Sequence, residues 1–175
     1  MSVSKVSTNV EEPKVQEPSA LAMRVRQGVP APIMLKLCLD AVQTLDRSDH
    51  RLHWSGFDDP SPQMMLTLLS YCYAMGIYAS HDIVWAVEND STVRYICARK
   101  RPDWAAIRHF RRHHRDLLCL SLVHVFKQAW ALKLDGAEVD FLGYNWFETE
   151  LSSQIETEVQ DRIDLAVIMD SVETD

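Results

Sequence analysis

Between Ser61 and Asp103 the chain carries four helix-start signals, and no other feature restricts its fold so strongly. Ser61-Pro62 opens the first helix. A serine can satisfy free N–H groups, and proline suits the first turn because it lacks the N–H that would go unpaired there. Met64, Met65, Leu68, Leu69, Tyr71, Cys72 and Met75 follow at helical spacing, and Gly76 stands where a left-handed residue would end the helix. Ser80 is placed to cap a short second helix with Ile83, Val84 and Val87 inward, and Ser91 a third around Val93 to Ala98. Pro102 disfavours helix at Arg101, and Asp103 can cap a longer helix reaching to about Leu132, with Ile107, Phe110, Leu117 and Leu118 on one side. The pattern predicts helices over 62–76, 81–89 and 104–130 in a mainly α, multi-helix bundle with at most one short strand. The first two of these helices are compatible with a helix-turn-helix-like unit and equally with any tight bundle.

The same stretch inverts the charge of the chain. From Arg94 to Arg115 eight Lys and Arg residues face the single acid Asp103, a formal +7 in a protein whose total is -7. Arg108, Arg111, Arg112 and Arg115 follow i, i+3, i+4, i+7 spacing and so share one face of the predicted helix, turned about 120° from its apolar side. A concentrated positive face attracts polyanions, and such binding weakens with salt. The competing reading is a solvated face whose arginines pair with the protein's own acids. Four arginines on one face, with Arg99, Lys100 and Arg101 in the preceding loop, favour nucleic acid, with Trp104 and His109 in supporting positions. The i, i+4 pair His109 and His113 has zinc-ligand spacing, but no glutamate or cysteine pattern accompanies it, so a basic surface patch is the better reading.

A length of 175 residues suits one domain, 47% hydrophobic residues allow a core, and only five glycines suit a helical chain. No apolar run reaches the length of a membrane span, and the Leu117–Phe126 run reads as a buried helix. The N-terminus lacks the basic-then-apolar pattern of a secretory signal, which gives a cytoplasmic expectation. Cys38, Cys72, Cys97 and Cys119 form no C-x-x-C pair and read as reduced core residues. The chain divides into a poorly ordered leader (1–28), a helical domain (29–142) and an acidic C-terminal helix or tail (143–175). Within the domain, Ile33, Met34, Leu37, Cys38, Ala41 and Leu45 make an apolar side after Pro30-Ala31-Pro32. A loop from Asp46 to Pro60 holds Trp54 and Phe57 as pins to the core, and residues 137–142 could form a strand. The tail holds nine acids against Arg162, with Leu151, Ile155, Val159, Ile163 and Val167 recurring every four residues. It is expected either to pack on the bundle by that stripe or to cover the arginine face and restrain DNA binding.

The order of these motifs resembles the N-terminal helical domain of bacterial insertion-sequence DDE transposases. The residues that carry the likeness are Pro62-Gln63-Met64-Met65-Leu66, Leu69, Tyr71, Gly76-Ile77 and Ser80, then Ile83, Glu88 and Asp90, then Arg101-Pro102-Asp103, Ile107 and Phe110-Arg111-Arg112. They cover about a third of the chain well, and residues 30–140 loosely. The resemblance implies a domain that binds transposon ends and associates with itself. In the family, a separate RNase-H-like domain with three metal-binding carboxylates cuts DNA. There the first catalytic aspartate follows the long helix; Asp140 matches it by spacing and Asp135 by its following glycine, and neither keeps the full pattern.

Such a nuclease needs separated carboxylates held by a sheet so that two metal ions can flank the phosphate. The 35 residues after Asp140 are too few for those strands. Nor does the sequence carry a P-loop, an HExxH or a Gly-x-Ser-x-Gly motif. The expectation is a DNA-binding and self-association module like a truncated transposase, without nuclease activity, cofactor, metal, membrane or small-molecule substrate. Its partners would be the DNA phosphate backbone, through Arg99, Lys100, Arg101, Arg108, Arg111, Arg112 and Arg115, and a second copy in a homodimer. The alternative is a protein-interaction or regulatory protein that kept the helical fold and lost DNA binding.

Overall fold

The computed structural model describes residues 29–48, 60–134 and 141–172. The described residues form seven helices and no strand: α1 (Ala31–Ser48), α2 (Pro62–Ala74), α3 (Ser80–Asn89), α4 (Ser91–Ile96), α5 (Trp104–His113), α6 (Arg115–Leu134) and α7 (Phe141–Val172). The leader, the Trp54–Phe57 loop, Asp135 and Asp140 lie outside them, and so does most of the expected strand, whose position 141 begins α7.

Helix α2 is the axis of the bundle. Every residue from Met65 to Ala74 is buried, because a helix apolar on all sides is stable only when neighbours surround it. Helices α1 and α6 pack on α2 and on each other, and α7 lies against α6. Two small polar residues sit in this apolar contact, Ser70 of α2 and Ser121 of α6. Their hydroxyls bond each other at 2.8 Å, which satisfies groups whose burial would otherwise be unfavourable.

Local chemistry sets the boundaries. Ser61 accepts a hydrogen bond from Met64 N, and Pro62 occupies the first turn. At the other end Gly76 is left-handed, with φ 81°. Its N–H bonds Tyr73 O and that of Ile77 bonds Cys72 O, the paired arrangement that closes a helix on a glycine. Asp103 caps α5 by accepting from Ala106 N at 2.7 Å. Two expected caps move by one residue. Asp90, not Ser91, caps α4, accepting from Thr92 N and Val93 N. Helix α3 starts after Ala79, which has no side chain to cap with, and Ser80 is its first residue.

The single helix expected over 104–130 is two helices. His114 leaves the helical basin at φ -123° and ψ 32°, ending α5, and α6 starts at Arg115. No glycine or proline marks the break. It falls where the His114 ring packs on that of Phe110, 4.5 Å between centroids.

Helix α7 belongs to the core. Ile155, Val159, Ile163 and Ala166 join the same buried cluster as Met34, Leu37, Cys38, Leu66, Leu69, Leu122 and Phe126. Ala166 replaces the expected Val167, which is exposed. Steps of four residues overshoot a helical turn by about 40°, so four of them carry Val167 about 160° away from Leu151, while Ala166 falls only about 60° away. In α1 the inner positions are Met34, Leu37, Cys38, Ala41 and Val42, and Ile33, expected inside, is exposed.

Charge also fixes α7 in place. Arg162 is 4% exposed, yet its guanidinium is well supplied with partners. Nε donates to Glu158 at 2.7 Å, Nη1 donates to the carbonyls of Tyr73 and Ala74, and Cζ lies 4.7 Å over the Phe126 ring. The carbonyls are those at the end of α2, where a cation also meets the negative end of the helix dipole. Removing one partner of a buried ion pair strands the other, so Arg162→Ala is expected to lower unfolding free energy by about 3–5 kcal/mol in urea titration. Glu158→Leu combined with Arg162→Met recovers part of that loss, since no charge is then buried alone.

Candidate nucleic-acid interface

The cations divide into two sets. Arg111 is 2% exposed and builds the fold. Its Nη1 donates to Asp170 Oδ2 at 2.5 Å and to Ala166 O at 2.8 Å, and its Nη2 donates to Tyr78 O at 3.1 Å. The guanidinium also lies 5.4 Å from the Tyr73 ring centroid. Burial pushes the Tyr73 phenol pKa up, against the opposing charge of Arg111.

Asp170 ties several groups together. Besides Arg111 it meets Arg108 Nε at 3.3 Å, and it accepts from Ser80 N at 2.9 Å and from Ser80 Oγ at 2.8 Å. A carboxylate from the last helix thus caps α3 in place of the missing side chain on Ala79. An anion is favoured there because free N–H groups and the positive helix end face it. Arg115, beyond the His114 break, pairs with Asp164 at 2.5 Å. Desolvation opposes charge on Asp164, but the hydrogen bonds from Arg115 and Gln160 and the Arg115 charge outweigh it and hold the carboxyl below its usual range.

The expected exposed face of Arg108, Arg111, Arg112 and Arg115 is therefore not one free surface. Arg111 is buried, Arg108 is largely covered, Arg115 is paired, and of the four Arg112 alone is exposed. The cause is the acidic helix opposite. Asp164 lies beside the apolar stripe, between Ile163 and Ala166, and Asp170 one turn beyond it, so packing of the stripe brings both close enough to bond rather than merely to screen.

The second set lies outside. Arg94, Arg99, Lys100 and Arg101 are exposed. Ala98 and Arg99 have φ of 46° and 74°, so two consecutive non-glycine residues are left-handed. Each such residue is disfavoured by roughly 1–2 kcal/mol, and here the turn projects three cations between α4 and α5. Pro102 is buried beneath it.

Aromatic rings flank these cations. Trp104, the first residue of α5, is 45% exposed; His81 stacks on it with centroids 5.8 Å apart, and Arg108 lies 4.8 Å over its ring. Trp85, one turn beyond His81 on α3, is 66% exposed. Glu88 on the next turn pairs with Arg101 at 3.7 Å, and its carbonyl accepts from Arg94 at 2.8 Å. His109 and His113 are also exposed, their rings 4.0 Å apart. Sequence reasoning passed over Trp85, although its position opposite Ile83 and Val87 on the helical wheel signals an outward ring. For Asp170 and Ser80, which meet across 90 residues, no local signal existed.

Among the described residues no group of three or more His, Cys, Asp or Glu side chains is arranged to hold a metal ion, and no helix is long and apolar enough to cross a membrane. The four cysteines are unbridged, three of them buried. Burial raises their thiol pKa values, that of Cys97 to about 11, which keeps them as inert thiols.

Asp170→Ala leaves the buried Arg111 without its carboxylate and uncaps α3. We expect a loss of about 3–5 kcal/mol in urea unfolding, with faster amide exchange at Ser80. Deleting 148–175 removes four core side chains as well, and we expect loss of cooperative unfolding by far-UV circular dichroism.

No protein-family model matches the chain, and no curated protein and no solved structure does either.

Proposed function

We propose that this chain is a nucleic-acid-binding module that contacts phosphates through the exposed cations of α4, the following turn and α5, and that it carries no nuclease of its own. The observation that carries the reading is the strained turn at Ala98 and Arg99, which presents Arg99, Lys100 and Arg101 together. Backbone held in an unfavoured conformation is retained where the surrounding structure over-determines it, and such sites cluster at binding surfaces. Arg94 extends the positive field on α4, and Arg112 adds an exposed cation on α5, beside Val167 and Asp170 of α7. Arg108, Arg111 and Arg115 act chiefly as structural arginines in this reading, and Arg108 adds a cation at the Trp104 ring.

The order of motifs from Pro62 to Arg112 suggests a relationship to the N-terminal domain of insertion-sequence transposases, and with it association between copies, as a DNA-binding piece of a mobile-element protein in the cytoplasm. A second reading, a protein-interaction module, is favoured by a groove of about 440 Å³ between α1, α2 and α4, lined by Leu35, Leu39, Val42, Met64 and Ile96 with the exposed Tyr95 at its edge.

The test is binding of random-sequence duplex DNA across a salt series. For every phosphate that the protein no longer neutralises, the slope of log affinity against log salt falls by about 0.9. Changing Arg99, Lys100, Arg101 and Arg112 together to alanine is expected to flatten the slope by up to four such steps while circular dichroism is unaltered. A folded quadruple variant with an unchanged slope overturns the assignment.

A further inference from the structure

We propose that the form of nucleic acid this surface prefers is a single strand, whose bases stack on Trp85 and against the outer side of the neighbouring His81–Trp104 ring pair while its phosphates meet Arg94 and Arg101. The proposal rests on the nucleic-acid reading above and names the partner of that same surface.

An isolated exposed aromatic needs no explanation. Trp85 is not isolated. On α3 it lies between His81 one turn before and Glu88 one turn after, so the three occupy one outward face. The His81 end of that row carries the Trp104 ring, tilted 22° from the imidazole. The Glu88 end carries two guanidiniums, that of Arg101 on the carboxylate and that of Arg94 on the backbone carbonyl. Rings at one end and cations at the other form a continuous strip, with Trp85 in the middle. The step from His81 to Trp85 is about 6 Å along the helix axis, enough to separate two bases that each rest on an aromatic ring.

Two properties of the strip select a single strand. In a duplex the faces of the bases are already stacked, so a protruding indole reaches one only after unstacking, which is unfavourable. A single strand offers its base faces without that step, and every base has one, so the contact is tolerant of sequence. The second property is electrostatic. Asp82 and Glu88 lie on the same helix, and their carboxylates would face the closely spaced phosphates of both strands if α3 entered a groove. A single strand carries one row of phosphates, which can lie along the arginines while the base faces rest on the rings. Glu88 is already partnered by Arg101, which lessens its repulsion.

The experiment compares an oligothymidylate, the matching duplex and polyglutamate as ligands of the full chain at low salt, followed by fluorescence anisotropy. The single strand is expected to bind more tightly than the duplex and to quench tryptophan emission. Trp85→Ala should weaken single-strand binding by about tenfold or more, leave duplex affinity within about twofold, and preserve the circular dichroism spectrum, because the side chain is exposed. Trp85→Phe should retain most of the affinity. Equal binding of both DNA forms, with no effect of Trp85→Ala, overturns the proposal and leaves the general reading standing. Polyglutamate bound as tightly as the oligonucleotide also overturns it, since cations alone would then suffice. Absence of binding to either DNA form at low salt overturns this proposal and the reading beneath it.

Discussion

The carboxylate of Asp170 governs how this bundle closes. It meets a buried guanidinium, starts α3 and ties both to the last helix. Without an anion there, Arg111 would hold an uncompensated charge among buried groups, and the first turn of α3 would lack a side-chain cap. Arg162 does the complementary work two turns earlier, taking the carbonyls at the end of α2. The two contacts bracket the turn from α2 to α3. One end of the turn is supplied with donors and the other with an acceptor, both from the same helix. Hydrophobic burial accounts for why α7 packs on the bundle, and these polar contacts account for its register.

The helical grammar was readable wherever it depended on near neighbours. Ser61, Pro62, Gly76 and Asp103 perform the roles their chemistry suggests, and the inner positions of α3 and α5 follow from apolar spacing, whereas α2 is buried all round from Met65 to Ala74 and has no single inner face to read. The misreadings arise where a distant residue takes over. Ser80 looks like a cap because it precedes an apolar run, yet Ala79 holds the cap position and Asp170 supplies the oxygen. The His114 break has no local marker, since a shift in one residue's dihedrals, supported by ring packing on Phe110, is enough to end a helix. The face formed by Arg108, Arg111, Arg112 and Arg115 was legible as a set of positions but not as a surface. Whether a helix face is solvent-facing depends on what lies opposite, and here that is a segment about 50 residues later in the chain.

What is left outside is a smaller and differently placed positive region than the sequence implied. It centres on the turn after α4 and is bordered by indole rings. The net charge of the chain is negative, but two acids of α7, Asp164 and Asp170, pair with arginines of α5 and α6. The exposed cations therefore act within a field already partly neutralised by pairing. This arrangement lets an acidic protein present a local basic surface, and it makes any affinity for polyanions depend on a few residues rather than on overall composition.

The wide sequence separation of the closing contacts bears on how the chain reaches its folded state. Helical bundles ordinarily fold fast because their contacts are local. Here Ser80 finds Asp170 across 90 residues, and Arg162 finds Tyr73 across 89. Closing loops of that length demands entropy before any contact rewards it. The helices can form early from their own caps, but α2, α3 and α5 stay unfastened at their ends until the last helix arrives. Docking of α7 should accordingly be the late step of folding, after a bundle whose contacts are mostly local has formed.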